Sequence, residues 1–139
     1  MPIKNKKKEV YLGIDYGKSN IGLALGINDF VTPLEIIPAK NEEVAIHKII
    51  RIGLENKVDK FIIGIPLDAE GKETKQSIET RRFGRKLKIM SKRPIIYQNE
   101  FGTSKQALKN SIEQGVSQKG RRSIDNLSAS IILRSYFYH

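Results

Sequence analysis

Between residues 10 and 37 the chain carries three runs of β-forming residues, "VYLGID" (10–15), "NIGLALGI" (20–27) and "FVTPLEII" (30–37), joined by links of only a few residues. This constrains the fold more than any other feature. Parallel neighbours need a crossover of a dozen or more residues, so runs this close can pair only as an antiparallel meander. Asn28-Asp29 supplies the second turn, and Pro33, which has no N–H to donate, marks an edge or a bulge. One residue breaks the apolar pattern. Asp15 stands at the end of the first run, with Gly17, Lys18 and Ser19 close behind.

After the meander the period changes from two to about 3.6. Ala45, Ile46, Ile49, Ile50 and Leu54 recur at helical spacing, predicting a helix over 42–56. "KFIIGIP" (60–66) is a short buried strand ended by Pro66. A helix is expected over 72–91, with Phe83, Leu87 and Met90 on its apolar side and Arg81, Arg82, Arg85, Lys86 and Lys88 on its polar side. "RPIIYQN" (93–99) is a fifth strand, and 103–113 has a helical pattern. Residues 114–122, with two glycines and no apolar period, read as a mobile basic loop before a last helix over about 124–137. Strands that follow helices run parallel to the first strand through right-handed crossovers. The expected architecture is α/β: a mixed five-stranded sheet, three strands as a meander and two parallel, with helices on both faces. Residues 1–8 are a basic flexible tail and 9–139 a single domain, which suits a chain of 139 residues.

The charge balance names a class of partner. Twenty-five Lys and Arg against fifteen Asp and Glu give a formal net charge of +10, which favours a polyanion such as nucleic acid. The chain has no cysteine and only two histidines, His47 and His139, so any metal would be held by oxygen. No run reaches the roughly 18 apolar residues of a membrane helix, and the apolar stretch ahead of Asp15 is too short for a secretory signal. A cytoplasmic protein is expected.

Asp15 and the glycines after it invite comparison with a phosphate-binding P-loop. The pattern fails: Gly13 to Gly17 is one residue short, Leu12 stands where a glycine is required, and Ile21, Leu23 and Leu25 continue as a strand rather than a helix. The carboxylate needs another account. It can begin the turn by accepting backbone N–H bonds. Glu100 and Asp125 have similar local explanations. Glu100 can be a loop acid near the next helix, and Asp125 can open the last helix with Ser123 as N-cap, favoured by the helix dipole. A joint account is also open. If the first and fifth strands are parallel, Asp15 and Glu100 share the carboxyl end of the sheet, where ligand sites form. Asp125 shares a helix face with Ala129, Ile132 and Tyr136, a face that would pack on the sheet and bring it to the same edge. Carboxylates about 5 Å apart at an effective dielectric of 20 repel by roughly 3 kcal/mol per pair. A bound Mg²⁺ or Mn²⁺ would offset that repulsion, and such ions beside a basic surface suit phosphodiester cleavage.

Four blocks of the chain resemble one family. "LGIDYGKSNIGLALG", "IIGIPLDAEG" (62–71), "NEFGTS" (99–104) and "QKGRRSIDNLSASIILRSYF" (118–137) are similar, in order and spacing, to four blocks of the YqgF family, RNase H-fold nucleases also described as Holliday junction resolvases. The resemblance covers nearly the whole chain. It implies an RNase H-like fold and a catalytic, metal-binding triad of Asp15, Glu100 and Asp125 that uses Mg²⁺ or Mn²⁺. It also implies an endonuclease that processes the 5′ end of pre-16S ribosomal RNA, in ribosome biogenesis. Two alternatives accompany it: a Holliday junction resolvase acting on branched DNA, and a nucleic-acid-binding protein without catalysis. The implied partner is nucleic acid, with structured RNA ahead of branched DNA and a ribosomal precursor particle as its setting; monomer and homodimer both remain open. Candidate nucleic-acid contacts are Lys18, Arg81, Arg82, Arg85, Lys119, Arg121 and Arg122. The chain departs from the family where Asn99 precedes Glu100, where Phe101 replaces an arginine, and in the Lys18-Ser19-Asn20 stretch. Asp68 is expected to begin a turn or cap the helix after it. Actin- and hexokinase-like ATPases share the opening hairpin but enclose their nucleotide between two such domains, and this chain has one.

Overall fold

A computed structural model describes residues 8–100 and 118–138, with the side chains of 118–126 excepted. Its order is β1 (Val10–Tyr16), β2 (Asn20–Ile27), β3 (Phe30–Pro38), α1 (Glu42–Glu55), β4 (Lys60–Ile65), α2 (Lys75–Ser91), β5 (Ile95–Asn99) and α3 (Gln118–Phe137). The strands form one five-stranded sheet in the order β3-β2-β1-β4-β5. β1, β2 and β3 pair antiparallel, whereas β4 is parallel to β1 and β5 parallel to β4. The expected meander with two added parallel strands is what forms.

Local chemistry accounts for the joints. Asn28 and Asp29 both hold positive φ, 49° and 70°, as a two-residue hairpin requires, and Asn and Asp tolerate that region better than other non-glycine residues. Pro33 lies on the edge strand beside a register shift: Gly22 faces Ile36 but Ala24 faces Pro33, so β3 carries one extra residue. Both readings of Pro33, edge and bulge, hold together. Asn41 caps α1 by accepting from the Val44 N–H at 3.2 Å, with Glu42 and Glu43 in the first turn where the helix dipole favours them.

Two helix starts differ from expectation. α2 begins at Lys75, not residue 72, because Thr74 caps it: its hydroxyl accepts from the Ser77 N–H at 3.0 Å, and the Ser77 hydroxyl accepts from the Thr74 N–H at 2.7 Å. Asp68 begins a turn, its Oδ1 accepting from the N–H groups of Glu70 and Lys72, and does not cap the helix. The last helix begins at Gln118, so residues 118–122 are helical rather than a mobile loop. Gln, Lys and Arg are good helix formers, and the penalty for Gly120, about 1 kcal/mol, is one a 20-residue helix absorbs. The expected helix over 103–113, the loop residues 114–117, and residues 1–7 of the tail lie outside the described residues.

The sheet's pleat sorts the core into two layers. Leu12, Ile14, Phe61 and Ile63 face Ile46 and Ile49 of α1 and Phe83 and Leu87 of α2. The alternate residues, among them Ala24 and Ile62, face Ala129, Ile132 and Leu133 of α3. Helices thus cover both faces. Tyr16 stacks on Phe83 with ring centroids 4.4 Å apart, tying β1 to α2. Phe83→Ala should lower unfolding free energy in urea by about 3–5 kcal/mol, while Phe30→Ser, at a position 79% exposed, should change it by less than about 0.5 kcal/mol.

Candidate active site at the carboxyl rim of the sheet

Because Leu12 and Ile14 point into the α1/α2 layer, Gly13 and Asp15 point toward α3. α3 lies directly on the backbone there. A methyl group at Gly13 would meet Leu133 Cγ at 2.6 Å and the Ala129 carbonyl at 2.9 Å, and one at Gly26, which pairs with Tyr11, would meet the Phe137 ring at 2.8 Å. Residues later in α3 therefore lie over positions nearer the start of β1, and the helix runs antiparallel to that strand. Its N-terminal part heads for the rim where β1 ends. Asp15 lies two strand residues, about 7 Å, beyond Gly13. Position 125 lies one helical turn, about 6 Å, before Ala129, which brings it to the level of Asp15.

Glu100 reaches the same place from β5. Its N–H donates to the Ile65 carbonyl at 3.0 Å, extending the β4–β5 ladder by one residue. Its side chain folds back over Gly64: a Cβ added there would fall on the Glu100 carboxylate and lie 2.5 Å from Ile132 Cδ1. The parallel register pairs Ile14 with Ile63, so the next positions along are Asp15 and Gly64. Neighbouring strands are about 4.8 Å apart. The register thus brings residues Asp15 and Glu100 to the same carboxyl rim, on the α3 face, with Gly64 leaving the space between the strand and the helix.

Asp15 is only 8% exposed. A carboxylate this far from water costs several kcal/mol unless fixed charges or donors offset it. Its position also disposes of the P-loop comparison, because β2 follows the glycine turn directly. Asp125 does not open the last helix. It lies two turns inside, so Ser123 is not its N-cap and the helix dipole does not account for it. No group of three or more His, Cys, Asp and Glu suited to a metal ion occurs among the described residues, which include the side chains of Asp15 and Glu100 but not that of Asp125. The donor chemistry fits a hard cation: paired oxygen ligands on a glycine-lined shelf, with neither sulfur nor imidazole in the set.

The basic candidates divide. Lys18 is exposed in the β1–β2 turn and lines a cleft of about 220 Å³ with Lys75, Gln76 and Glu79 from the first turns of α2. Arg82 and Arg85 are exposed on α2. Arg81 is not available in the same way. Its Nε and Nη2 donate to both Glu73 oxygens at 2.6 and 2.9 Å, and its guanidinium lies 5.0 Å above the Tyr97 ring. That pairing holds the Glu73 carboxyl below the usual carboxylate range. Arg81 is thereby held as a structural clamp between α2 and β5, with its side chain still partly exposed. Lys119, Arg121 and Arg122 lie in the first turns of α3, and Phe101 lies outside the described residues.

Three residues near the site escaped the sequence reading. Gly64, in "FIIGIP", carried the available signal: a glycine inside a buried strand marks a close approach. Lys75 became visible only when the hairpin turn and α2 came together. Ser128, fully buried one turn from position 125, has no hydrogen-bond partner for its hydroxyl among the described residues.

Comparison with known proteins gives the family and the fold. Residues 9–139 match the family model described as "RuvX: Holliday junction resolvase". A Mycoplasma mobile protein is 34% identical over 130 residues, spanning 90% of this chain and 89% of its own length, and a Buchnera aphidicola protein is 31% identical, spanning 94% and 97%. Both are named "Putative pre-16S rRNA nuclease". Among solved structures, Thermus thermophilus RuvC in complex with a Holliday junction substrate superposes with a TM-score of 0.58 at 13% identity, covering 93% of this chain and 94% of that one. The fowlpox virus Holliday junction resolvase superposes at 0.52 with 18% identity, covering 92% and 97%. At those identities the likeness is one of fold.

The Gly64 shelf can be tested by a double-mutant cycle. Gly64→Ala should cost about 1–3 kcal/mol of stability, and Glu100→Ala added to it should restore part of the loss through a coupling of about 1 kcal/mol. Strict additivity in urea unfolding would show that Glu100 does not lie over Gly64.

Proposed function

This chain belongs to the RuvX family, and from that premise we propose that it is a divalent-metal-dependent endonuclease that hydrolyses phosphodiester bonds in the precursor of the small-subunit ribosomal RNA. The observation that carries the reading is the placement of Asp15 and Glu100 on one shelf at the carboxyl rim, beneath the helix that bears Asp125. Asp15, Glu100 and Asp125 would hold Mg²⁺ or Mn²⁺. Such an ion, when bound, lowers the pKa of an attacking water and offsets the charge that builds on the scissile phosphate.

The rest of the chemistry belongs to the chain. The rigid β1 and β5 termini fix two carboxylates to within the tolerance of their strands, which supplies orientation. α3, pressed onto Gly13 and Gly64, closes the sheet-side wall behind them against water. Lys18 and Lys75, flanking one cleft beside the rim, hold the phosphates next to the scissile bond as point charges. They supply positive charge in a chain whose sequence has Phe101 in place of the family's arginine, though without a guanidinium's two-pronged grip. Cytoplasmic action on a ribosomal precursor particle follows from this substrate.

A second reading is cleavage of four-way DNA junctions. The family description favours it, and the two substrates separate the readings when incubated side by side with Mg²⁺ or Mn²⁺. Cleavage of the RNA precursor at one site with the DNA junction intact supports the first; the reverse supports the second.

Asp15→Asn should reduce cleavage at least about a hundredfold, since even outer-shell partners of metal ligands act on the 10–100-fold scale, while leaving nucleic-acid binding within a few-fold of the parent. Cleavage that survives the substitution would point to a contaminating nuclease. Binding of either substrate should weaken at least about tenfold between 50 and 200 mM salt, because counterion release governs phosphate-led contacts. A flat affinity over that range would count against a phosphate-led interface.

A further inference from the structure

The cations of α2 are not arranged as on an ordinary solvated helix. Lys75–Ser91 holds six basic residues and one acidic residue, Glu79. Ser77, Thr80, Phe83, Gly84 and Leu87 form its buried side. The opposite side, taken at 100° per residue, carries Lys75, Ile78, Arg82, Arg85, Lys86 and Ile89, all of them exposed. Lys92, the left-handed C-cap at φ 58°, and Arg93 follow directly after the helix and are exposed as well. The row spans about 25 Å at 1.5 Å per residue.

Local pairing does not neutralise this row. Lys86 reaches Glu42 only at 3.8 Å, and Arg82, Arg85, Lys92 and Arg93 enter no ion pair among the described residues. Arg82 and Lys86, four apart, repel each other and slightly weaken the helix, where a glutamate would have strengthened it. At its upper end the row joins the cleft that Lys75 shares with Lys18 at the rim. From there it descends the face of the sheet opposite α3. The positive surface therefore turns a corner from the candidate site onto a separate face of the molecule.

We propose that the outer face of α2 is a docking rail for the phosphate backbone of a double-stranded RNA stem that flanks the cleavage point. This rests on the nuclease reading and adds the location and form of the part of the substrate that is not cut. The absence of aromatic side chains among the exposed residues of the row argues for a duplex, since single strands are gripped by stacking bases on aromatic rings. Double-stranded RNA, whose bases face a groove too narrow for side chains, is held by phosphates and shape, as a row of arginines and lysines can do. A nearly straight row of cations also suits the regular phosphate spacing of a stem.

The test uses full-length protein carrying Asp15→Asn, so that binding is measured without turnover. Fluorescence anisotropy is followed across a salt series for an RNA stem that includes the cleavage point, a DNA duplex of the same sequence, and polyglutamate as an acidic polypeptide. Arg85→Glu should weaken RNA-stem binding at least tenfold and lower the slope of log affinity against log salt by about 1. Arg134→Glu, an equal charge change at an exposed α3 position, should weaken it less than threefold. Far-UV circular dichroism checks the fold, and Arg85→Gln, expected to weaken binding at least threefold, replaces the reversal if that variant does not fold. Equal effects at the two positions, or an unchanged salt slope, overturn the rail. DNA or polyglutamate binding that matches the RNA stem, with the same dependence on Arg85, overturns the choice of partner. The two readings fail separately: a parent protein that cleaves but shows no Arg85 dependence removes the rail alone, and one that binds stems through Arg85 but never cleaves removes the nuclease alone.

Discussion

The close seating of α3 on the sheet is the contact on which the rest of the structure depends. It is possible because Gly13, Gly26 and Gly64 offer the helix backbone instead of side chains, and Leu133, Phe137 and Ile132 fill the space that Cβ atoms would otherwise take. Larger residues at those three positions would lift the helix off the sheet. The second hydrophobic layer, Ala24, Ile62, Ala129, Ile132 and Leu133, would then open, and the helix could no longer carry its N-terminal turns to the rim beside Asp15. Glu100 depends on the same contact, because its carboxylate rests on Gly64 next to Ile132. Core packing and the geometry of the candidate site are therefore one arrangement.

Most of the fold was legible because the chain changes period cleanly. Alternation through residue 37, helical spacing from Ala45, and the short apolar runs before Pro66 and Asn99 each correspond to an element of the structure. The failures have local causes. Glu73 and Lys72 are good helix formers, but the reciprocal Thr74–Ser77 hydrogen bonds stop the helix ahead of them. Gly120 looked like a breaker, yet it is one residue in a long helix of favourable neighbours.

At the site, the acids were legible and their support was not. Asp15 stood out as a charge in an apolar strand, and Glu100 followed from its position after β5. The shelf under Glu100 depends on a register between β1 and β4, which no local pattern encodes. Arg81 has a structural tie that its local sequence does not announce. Its partner Glu73 is eight residues away, beyond the range of helix-face pairing, and lies just ahead of the Thr74 cap. Tyr97 completes that clamp from another strand, beneath Gly84. A run of basic residues in a sequence therefore mixes charges that hold the fold with charges left to face a partner.

The bulge at Pro33 bears on how copies of this chain can meet. β3 is the outermost strand on its side of the sheet, and a regular outermost strand offers a ladder of N–H and C=O groups on which a neighbouring molecule can template itself. Pro33 removes one donor from that ladder, and the extra residue between Pro33 and Ile36 puts the remaining groups out of step. This flank of the sheet is therefore a poor template for edge-to-edge growth into ribbons or fibrils. A concentrated solution of this protein is protected there by backbone geometry as well as by its positive charge.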